Sequence, residues 1–275
     1  MEGFKFYKMS GHGNDFIIVD NRNTWVNEDE MAPMTKALCR RGLSIGADGM
    51  IFIQNGSEDM DFSWRFYNAD GSEAEMCGNG ARCAALFAYM LNIAPEKMSF
   101  KTLAGVIRAE VFEESVRIET TTPHGLELDY ELEIDGERLA LSSLDTGVPH
   151  AVLFIEDAET APVFDQGRTI RYHDHFQPNG TNVNFTQVLD SDTIVNRTYE
   201  RGVEGETLAC GTGCVAAALL AAEKDLVQSP VRVLTRGGED LIIRFKKSGN
   251  AFQDVSMEGP VRIVYTGHLG PDALT

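Results

Sequence analysis

Two cysteines, Cys77 and Cys210, occupy matching settings in the two halves of the chain. Each lies in the pattern E-x-x-x-C-G-x-G and is followed by an alanine-rich stretch with helical spacing. A thiol placed just before a helix gains thiolate character, because free backbone N–H groups and the positive end of the helix dipole favour its anion. Two such thiols predict an acid and a base that face each other across a cleft. That arrangement can remove a proton from one face of a carbon atom and return one to the other.

The glycines after each cysteine predict an anion site. Gly78 and Gly211 let the backbone approach a ligand closely, and the N–H groups at a helix start bind a carboxylate. Such a carboxylate would lie beside the thiol, and the same donors would stabilise the charge that develops on deprotonation. For one copy alone, a glycine-rich turn with an ordinary capping cysteine is the simpler interpretation. Two copies with a matching upstream glutamate favour the functional one.

Amide side chains at strand ends form a second signal. Asn14 opens one predicted strand, Asn68 ends another, and Asn182 and Asn184 lie at the start of a third. Asparagine is disfavoured inside strands, so at a strand end it either caps a turn or points into a polar site. For each asparagine alone the turn is the simpler interpretation. Together with the paired thiols, these amides predict hydrogen bonds to a zwitterionic ligand.

A histidine and a Glu-Arg pair complete the candidate residues. His150 follows Gly147-Val148-Pro149 at the start of an apolar run, although a single histidine is more often structural. Glu200 and Arg201 are adjacent on a predicted strand just before the second thiol, so their side chains point to opposite faces. A surface charge pair is the alternative for these two residues.

The composition is typical of a soluble globular protein. Of the 275 residues, 43% are hydrophobic and 24% are charged, enough for one large domain or two ordinary ones. The net charge of −18 argues against nucleic acid or an anionic membrane as the main partner, but it allows a small anionic substrate that responds to the local field. The start of the chain has no long apolar stretch, and no apolar run approaches membrane-spanning length. We therefore expect a cytoplasmic enzyme.

The remaining cysteines do not suggest a disulfide framework or a metal site. Five cysteines without C-x-x-C spacing argue against both. Cys210 and Cys214 are one helical turn apart, but no paired Cys/His motif completes a zinc pattern. We expect Cys39, Cys83 and Cys214 to be buried small hydrophobic residues, and Tyr172-His173-Asp174-His175 to lie in a polar surface loop.

Hydrophobic periodicity predicts two related α+β halves, each with strands that surround one principal helix. These helices follow the two cysteines, at residues 79–91 and 211–223, and a third is expected at 29–40 with Asn27 as its cap. Strands are predicted at 4–9, 15–20, 50–54, 61–68, 106–112, 115–120, 183–189, 194–199, 231–235, 241–246 and 251–258. A turn at Pro123-His124-Gly125 separates residues 1–122 from 123–261. The stretch after this turn is expected to form strands, with an acidic, solvated hairpin at 127–137.

These motifs together resemble the diaminopimelate epimerase family, and the resemblance covers nearly the whole chain. Several separated segments in the right order make the match specific. They are F-x-K-M-x-G-x-G-N-D-F near the start, Asn68-Ala69-Asp70-Gly71-Ser72, Cys77-Gly78-Asn79-Gly80-Ala81-Arg82-Cys83, the Gly-x-Pro-His segment, Asn182-Val183-Asn184-Phe185, Glu200-Arg201-Gly202 and Cys210-Gly211-Thr212-Gly213.

The resemblance implies epimerisation of LL-2,6-diaminopimelate to the meso isomer, in lysine and peptidoglycan synthesis, by two cysteines and without pyridoxal phosphate or another cofactor. One cysteine would be the thiolate base and the other the thiol acid, with His150 and Glu200 tuning them. The implied substrate contacts are Asn14, Asn68, Asn182, Arg201 and the backbone N–H groups of Gly78, Asn79, Gly211 and Thr212. The family fold makes each half a β-barrel-like mixed sheet around a central helix. It also implies that the C-terminal strand, about residues 262–275, returns to the first half.

Three positions depart from the family pattern. Val148 stands in place of the asparagine in the Gly-Asn-Pro-His motif of the family. Gly49 stands where some members have glutamine. The segment 202–207 carries one residue more than the common Gly-x-Gly-Glu-Thr form. None of these is a thiol or a tuning partner. The first and the third bear on recognition of the distal end of the substrate.

Three other functions are alternatives to the epimerisation of diaminopimelate. The nearest alternative is a racemase or epimerase of the same fold that acts on another amino acid, and Arg201 argues against a substrate without a distal carboxylate. A non-catalytic binding protein would lack a thiol or its tuning partner, and none is missing. A thiol-disulfide oxidoreductase is disfavoured because the two thiols are remote in sequence and lack C-x-x-C. The expected partner is a small amino acid, and the sequence also allows a homodimer.

Overall fold

A computed structural model describes residues 4–57, 59–249 and 251–274. Residues 1–3, the start of the predicted first half, and Thr275, the end of the predicted C-terminal strand, lie outside the described residues. Those described within Met1–Ile118 and Pro260–Thr275 form one compact unit, and those within Glu119–Gly259 form a second. The domain boundary placed at residue 122 from the sequence stays a prediction.

The first unit combines two helices with eight strands, numbered along the whole chain. The helices are α1 (Glu28–Leu38) and α2 (Gly78–Met90). The strands are β1 (Lys5–Gly11), β2 (Asn14–Asp20), β3 (Gly49–Asn55), β4 (Phe62–Asn68), β5 (Lys97–Thr102), β6 (Gly105–Val111), β7 (Val116–Glu119) and, from the C-terminal segment, β17 (Arg262–His268). The pairing order is β17–β1–β2–β3–β4–β5–β6–β7.

Two pairs in this sheet are parallel, β2 with β3 and β4 with β5. Parallel neighbours need a crossover connection, and α1 and α2 supply the two crossovers. Met31 and Leu38 of α1 pack on Ile17 and Phe52 in a hydrophobic core. Helix α2 is mostly buried, as its run of alanines permits.

The second unit has the helices α3 (Val163–Tyr172) and α4 (Gly211–Glu223). Its strands are β8 (His124–Ile134), β9 (Glu137–Asp145), β10 (Pro149–Phe154), β11 (Asn182–Val188), β12 (Thr193–Glu200), the short β13 (Gly205–Thr207), β14 (Val231–Thr235), β15 (Asp240–Ser248) and β16 (Ala251–Gly259). The order is β8–β9–β10–β11–β12–β14–β15–β16, with β13 paired to β12.

The second unit repeats the pairing pattern of the first. Its parallel pairs, β10 with β11 and β12 with β14, occupy the same places in the order, and α3 and α4 form the crossovers. In each unit the cysteine of C-G-x-G lies in the chain between the fifth strand of this order, β4 or β12, and the sixth, β5 or β14. The predicted α+β class, with two repeated halves of mixed sheet around a central helix, is confirmed.

Three strands or α-helices were not predicted from the sequence, and one of them is the short β13. Strand β5 carries its signal in the alternation of buried Met98 and Phe100. Helix α3 lies in a stretch expected to form strands, and that expectation is wrong. Gly167 in the middle of α3 weakens its helical pattern, but a Cβ there would lie 2.6 Å from Cβ of Tyr199, so the close packing of α3 on the sheet requires glycine.

Several smaller predictions are confirmed. Cys39, Cys83 and Cys214 are buried. The backbone N–H of Asn27 donates to the Glu30 carboxylate at 3.0 Å, which caps α1. The acidic segment after residue 124 forms the hairpin of β8 and β9, with β8 mostly exposed.

Among the described residues, no helix is both long enough and apolar enough to cross a membrane.

Candidate active site

Cys77 lies at the N-cap of α2, where its backbone is extended with φ −146° and ψ 122°. The first backbone bond of the helix runs from Ala81 N to Cys77 O at 2.8 Å. The N–H groups of Gly78 and Asn79 therefore precede the helical hydrogen bonds and lie at the positive end of the dipole. The thiol is half-buried, whereas the other four cysteines are buried.

Asn14 and Asn79 place their amides next to this thiol. Sγ of Cys77 lies 3.5 Å from Oδ1 of Asn14, and Nδ2 of Asn79 lies 3.5 Å from the same oxygen. Asn14 is held in turn by Asp48, whose Oδ2 accepts from Nδ2 of Asn14 at 2.6 Å. Oδ1 of Asn79 accepts from Nη2 of the fully buried Arg82 at 2.7 Å. Two predicted substrate contacts, Asn14 and Asn79, thus lie together with Cys77.

Asn68 lies at the end of β4, and its backbone pairs with Gly49. Its Nδ2 donates to Oγ of Ser72 at 3.1 Å, so the side chain holds the turn that follows the strand. Gly49 is required by packing, since a Cβ there would lie 2.6 Å from both the Phe66 ring and the Tyr67 carbonyl. The glutamine that some family members carry at this place does not fit the local backbone found here.

Cys210 lies at the N-cap of α4 and is only 7% exposed. Burial raises the pKa of its thiol well above the usual value, and the nearby negative charge of Glu200 acts in the same direction. Hydrogen bonds with the Thr212 hydroxyl, 3.6 Å from Sγ, and with the N–H of Gly213 act in the opposite direction and lower the pKa of the thiol. Burial and Glu200 thus favour the thiol of Cys210, whereas these two hydrogen bonds favour its thiolate.

His150 is the second residue of β10 and is 1% exposed. Burial lowers its pKa to about 3, and the positive charge of Arg201 contributes. The imidazole is therefore neutral at physiological pH. Its Nδ1 lies 3.2 Å from Nδ2 of Asn184, while its buried Nε2 has no hydrogen-bond partner among the described residues. A buried ring nitrogen of this kind is available to a ligand.

Asn182 joins two of the predicted site segments. Its Nδ2 donates to the Pro149 carbonyl at 3.1 Å, and its Oδ1 accepts from the backbone N–H of Arg201 at 2.9 Å. The guanidinium of Arg201 donates from Nη1 to the Asn179 carbonyl at 2.9 Å. The start of β10 and the end of β12 are thereby fixed to each other. His150, Asn182 and Arg201 come together as the sequence predicts.

The start of α4 is tied to the same segment. Thr146, just before β10, donates from Oγ1 to the Thr212 carbonyl at 3.1 Å. This bond positions the first turn of α4, with Gly211 and Thr212, relative to His150. Thr146 was not singled out in the sequence, because a threonine in a loop carries no chemical signal of its own.

The two cysteine helices rest on equivalent strand positions. Ile51 pairs with Ile18 and Phe66, and Asn184 pairs with Val152 and Thr198, in the corresponding strands of the two units. A Cβ on Gly80 would lie 3.3 Å from Cδ1 of Ile51, and a Cβ on Gly213 would lie 2.3 Å from Oδ1 of Asn184. The second glycine of each C-G-x-G thus lies directly over the equivalent residue.

The chemistry of the two surfaces differs. Beneath α2 it is hydrophobic, with Phe16 also near Gly80. Beneath α4 it is a buried polar network in which Asn184 accepts from Thr198 at 2.9 Å and from Asn196 at 3.3 Å. The repeated backbone therefore gives the two thiols unequal surroundings. Asn196 and Thr198 were not predicted, and their only signal is the even-numbered polar alternation of β12.

A charged pair holds the loop after Arg201. Arg171 of α3, 14% exposed, donates from Nη2 to Oε1 of Glu204 at 3.2 Å, and Glu204 also accepts from the N–H of Gly202 at 3.0 Å. Glu204 has a positive φ of 56°. The segment that carries an extra residue relative to the family pattern is therefore well anchored.

Metal-binding chemistry has no obvious location in this arrangement. Within residues 4–57, 59–249 and 251–274, no three His, Cys, Asp or Glu side chains are grouped so as to hold a metal ion. His173 and His175 lie at and after the end of α3, where His175 stacks on Tyr130 at 5.0 Å between ring centroids.

Solved structures share the fold at low sequence identity. A phenazine biosynthesis protein of the PhzF family from Bacillus anthracis has a TM-score of 0.74 at 15% identity, covering 98% of this chain and 100% of its own. A hydroxyproline epimerase from Agrobacterium vitis has a TM-score of 0.70 at 12% identity, covering 99% and 94%. A probable proline racemase from Agrobacterium radiobacter K84 has a TM-score of 0.69 at 15% identity, covering 98% and 95%. Fold and site together define a protein with two repeated α+β halves, each with a cysteine at the N-cap of its central helix.

Sequence relatives make the family specific. The model of a family described as Diaminopimelate epimerase matches residues 6–124 and 142–264. A diaminopimelate epimerase from Aquifex aeolicus is 45% identical over 98% of this chain and 99% of its own length. Another, from Archaeoglobus fulgidus, is 43% identical over 85% of this chain and 86% of its own. The chain belongs to the diaminopimelate epimerase family.

Proposed function

We propose that this protein interconverts LL-2,6-diaminopimelate and meso-diaminopimelate by a two-base mechanism without pyridoxal phosphate. The observation that supports it most is the repeated helix start, with one thiol at the N-cap of α2 and one at the N-cap of α4. Family membership supports the reaction, and the residue roles are those that the family resemblance implies. The step belongs to lysine and peptidoglycan synthesis.

In this mechanism Cys77 and Cys210 act on the same α-carbon. A thiolate removes the α-proton, so that the C–H bond breaks and an S–H bond forms. The electron pair delocalises onto the substrate carboxylate. The thiol of the other cysteine then donates its proton to the opposite face and becomes the thiolate. No net oxidation occurs, and the two cysteines exchange protonation states with each turnover.

The helix starts stabilise the charge that develops on the carboxylate. The backbone N–H groups of Gly78, Asn79, Gly211 and Thr212 are donors at the positive ends of two helices. His150 and Glu200 are assigned to tuning the thiols, in agreement with the effect of Glu200 on the Cys210 pKa. Asn14, Asn68 and Asn182 are assigned to the polar groups of the substrate, and Arg201 to its distal carboxylate.

The test is α-proton exchange in D2O followed by NMR, with LL-diaminopimelate and a panel of other L-amino acids. We expect exchange and meso product with diaminopimelate alone. Cys77→Ser and Cys210→Ser should each lower the epimerisation rate about 10²- to 10⁴-fold, because a hydroxyl is a far poorer base. Cys39→Ala is the matched control, since Cys39 lies in the hydrophobic core and burial raises its pKa to about 12. Absence of exchange with every amino acid would reject the enzymatic function.

A second candidate is epimerisation of a different amino acid on the same site. Val148 replaces the asparagine of the family pattern, and the loop anchored by Glu204 is one residue longer, so recognition of the distal end is altered. The same panel separates the two candidates. Exchange with another amino acid in preference to diaminopimelate would keep the two-thiol mechanism and reassign the substrate.

Location and assembly are proposed from the same function. A biosynthetic epimerase of this pathway is expected in the cytoplasm, where its substrate is made. A small amino acid is its partner, with no nucleic acid and no membrane. A homodimer stays a prediction, and sedimentation equilibrium of the purified protein measures it directly.

A further inference from the structure

The polar side chains beside Cys77 form a chain of hydrogen bonds with a single direction. Arg82 donates to Oδ1 of Asn79, Asn79 donates to Oδ1 of Asn14, and Asn14 donates to Oδ2 of Asp48, over 2.7, 3.5 and 2.6 Å. A guanidinium only donates and a carboxylate only accepts. Both asparagine amides between them therefore have one allowed orientation. The oxygen of Asn14 is consequently the atom that faces Cys77.

Asp48, at the acceptor end of this series of hydrogen bonds, is held in place by further contacts. Oδ1 of Asp48 accepts from Nη2 of Arg41 at 2.8 Å, and Oδ2 also accepts from the backbone N–H of Asp15 at 3.1 Å. The backbone N–H of Asp48 donates to Oδ1 of Asp15 at 3.0 Å, and Arg41 and Lys8 both form ion pairs with Asp15. The carboxylate of Asp48 is thus held in a fixed position by several contacts, although its side chain is 41% exposed.

The donor end is equally fixed. Arg82 is fully buried, and the same Nη2 that donates to Asn79 also lies 2.9 Å from Nδ1 of His12. A guanidinium cannot accept and a carboxylate cannot donate, so turning either amide round would place two donors or two acceptors against each other. The orientation of Asn14 is therefore a property of the folded unit.

An acceptor next to a sulfur favours the thiol over the thiolate. Oδ1 of Asn14, 3.5 Å from Sγ of Cys77, accepts from the S–H group, whereas a thiolate there would meet the oxygen lone pairs. We propose that Asp48 is a positioning residue that acts through Asn14 to hold Cys77 as the protonated thiol, ready to donate a proton. This rests on the proposed function for the meaning of that state, but the state itself does not depend on the substrate.

The surroundings of Cys210 provide the contrast. There the hydrogen bonds with the Thr212 hydroxyl and the N–H of Gly213 lower the pKa of the thiol, and so favour the thiolate against burial and Glu200. The oxygen of Asn14 thus gives Cys77 a contact that favours the thiol, whereas the contacts of Thr212 and Gly213 with Cys210 favour the thiolate. In a reaction that needs one acid and one base at the start of turnover, this difference favours Cys77 as the acid.

The experiment measures the pH dependence of Cys77 alkylation by iodoacetamide in the full-length protein, with Cys210→Ser as background and the modified peptide identified by mass spectrometry. Asp48→Ala removes the acceptor and releases Asn14. We expect the midpoint of the alkylation rate to fall by about one pH unit, which is about a tenfold faster reaction at neutral pH. The other charged and titratable groups in or beside this series of hydrogen bonds are Lys8, His12, Asp15, Arg41, Arg82 and Cys83.

Loss of a negative charge near a thiol also lowers its midpoint directly, so a double-mutant cycle separates the two causes. Asn14→Leu keeps the branching of the side-chain heavy atoms but cannot accept a hydrogen bond. In an Asn14→Leu background, Asp48→Ala should have no further effect if Asp48 acts through Asn14. Arg41→Met, which keeps the Asp48 acceptor, should not speed the reaction.

Two results would overturn the proposal. One is an unchanged midpoint in Asp48→Ala protein that keeps its circular dichroism spectrum and unfolding temperature. The other is a shift of equal size with and without Asn14, which would assign the effect to charge alone. Because alkylation needs no amino acid, failure of the proposed function would appear only in the exchange experiment, and the two failures remain distinguishable.

Discussion

Asn184 donates from Nδ2 to Nδ1 of His150 over 3.2 Å, and its partners allow no other orientation. The same nitrogen donates to the Ala151 carbonyl at 3.1 Å, and its oxygen accepts from the Thr198 hydroxyl at 2.9 Å. A carbonyl only accepts, so the amide nitrogen must lie on the side of His150. The neutral imidazole therefore carries its proton on Nε2 and presents a donor.

The tautomer of His150 should depend on Asn184. Asn184→Leu keeps the branching of the side-chain heavy atoms but cannot donate, so we expect both tautomers and a fall in kcat of about tenfold. It should also lower the free energy of unfolding by about 1–3 kcal/mol, because Thr198 and Asn196 lose a buried acceptor. The ¹⁵N shifts of the imidazole report the tautomer. Thr186→Val, one bond further along the network, is the control that should keep Nε2–H.

The glycines over the two surfaces should respond differently to alanine. Gly213→Ala places a methyl group 2.3 Å from Oδ1 of Asn184, so we expect a loss of at least about 2 kcal/mol in the free energy of unfolding. Gly80→Ala meets the flexible end of Ile51 at 3.3 Å, and the better helix propensity of alanine offsets much of the strain. Urea unfolding measures both, and equal losses would contradict the packing described here.

A matched glycine tests whether the loss is local. Gly205 has no atom within 4 Å of an added Cβ, and its φ is not in the left-handed region. Gly205→Ala should therefore change the free energy of unfolding by no more than about 0.5 kcal/mol.

The free energy of unfolding should decrease as the pH is lowered, because His150 is held neutral in the folded protein. Its folded pKa of about 3 lies below the unfolded value near 6.5, so the unfolded chain binds more protons in between. The contribution is complete above pH 6.5 and is lost at up to about 1.4 kcal/mol per pH unit as the pH drops. Carboxyl groups with a lowered pKa, such as Asp20, lose their contribution only further down, below about pH 4.5.

Urea unfolding at pH 7, 6 and 5 isolates this effect. His150→Gln cannot charge, so the slope between pH 6.5 and 4.5 should become shallower in the variant than in the wild type. Parallel slopes in the two proteins would mean that His150 does not titrate differently in the folded and unfolded states.

The Arg171–Glu204 pair should affect substrate binding more than chemistry. The pair anchors the loop after Arg201, and Arg201 is assigned to the distal carboxylate. We expect Glu204→Gln to raise KM about three- to tenfold with kcat nearly unchanged, because a displaced guanidinium weakens binding without reaching the thiols. Steady-state kinetics of epimerisation measures the split. Glu131→Gln, in an exposed pair with Arg138, is the control and should leave both constants as they are.

Much of the fold could be predicted because its signals are local. Alternation of polar and apolar residues reveals strands such as β12, and an alanine run reveals α4. Helix α3 could not be predicted in this way, because the contact of Gly167 with Tyr199 overrides propensity. Tertiary packing of this kind leaves no local pattern.

The same distinction between local signals and tertiary contacts applies to the residues of the candidate site. Cys77 and Cys210 were evident because a thiol before a glycine-rich helix start has a chemical meaning on its own. Asp48 and Arg82 were not, because a charged residue gains its role only from what it meets. Asp48 reads as part of a loop, and Arg82 as one more residue of an alanine-rich helix.

The sequence by itself was enough to identify the two thiols, the repeated halves and the family. All three can be recognised from short motifs of adjacent residues. Only the tertiary structure decided the direction of the amides that face the site. Asn14 meets Asp48, and Asn184 meets His150, across 34 residues of chain in each case. An amide has a donor end and an acceptor end, and the fold chooses between them by placing a partner that can only donate or only accept.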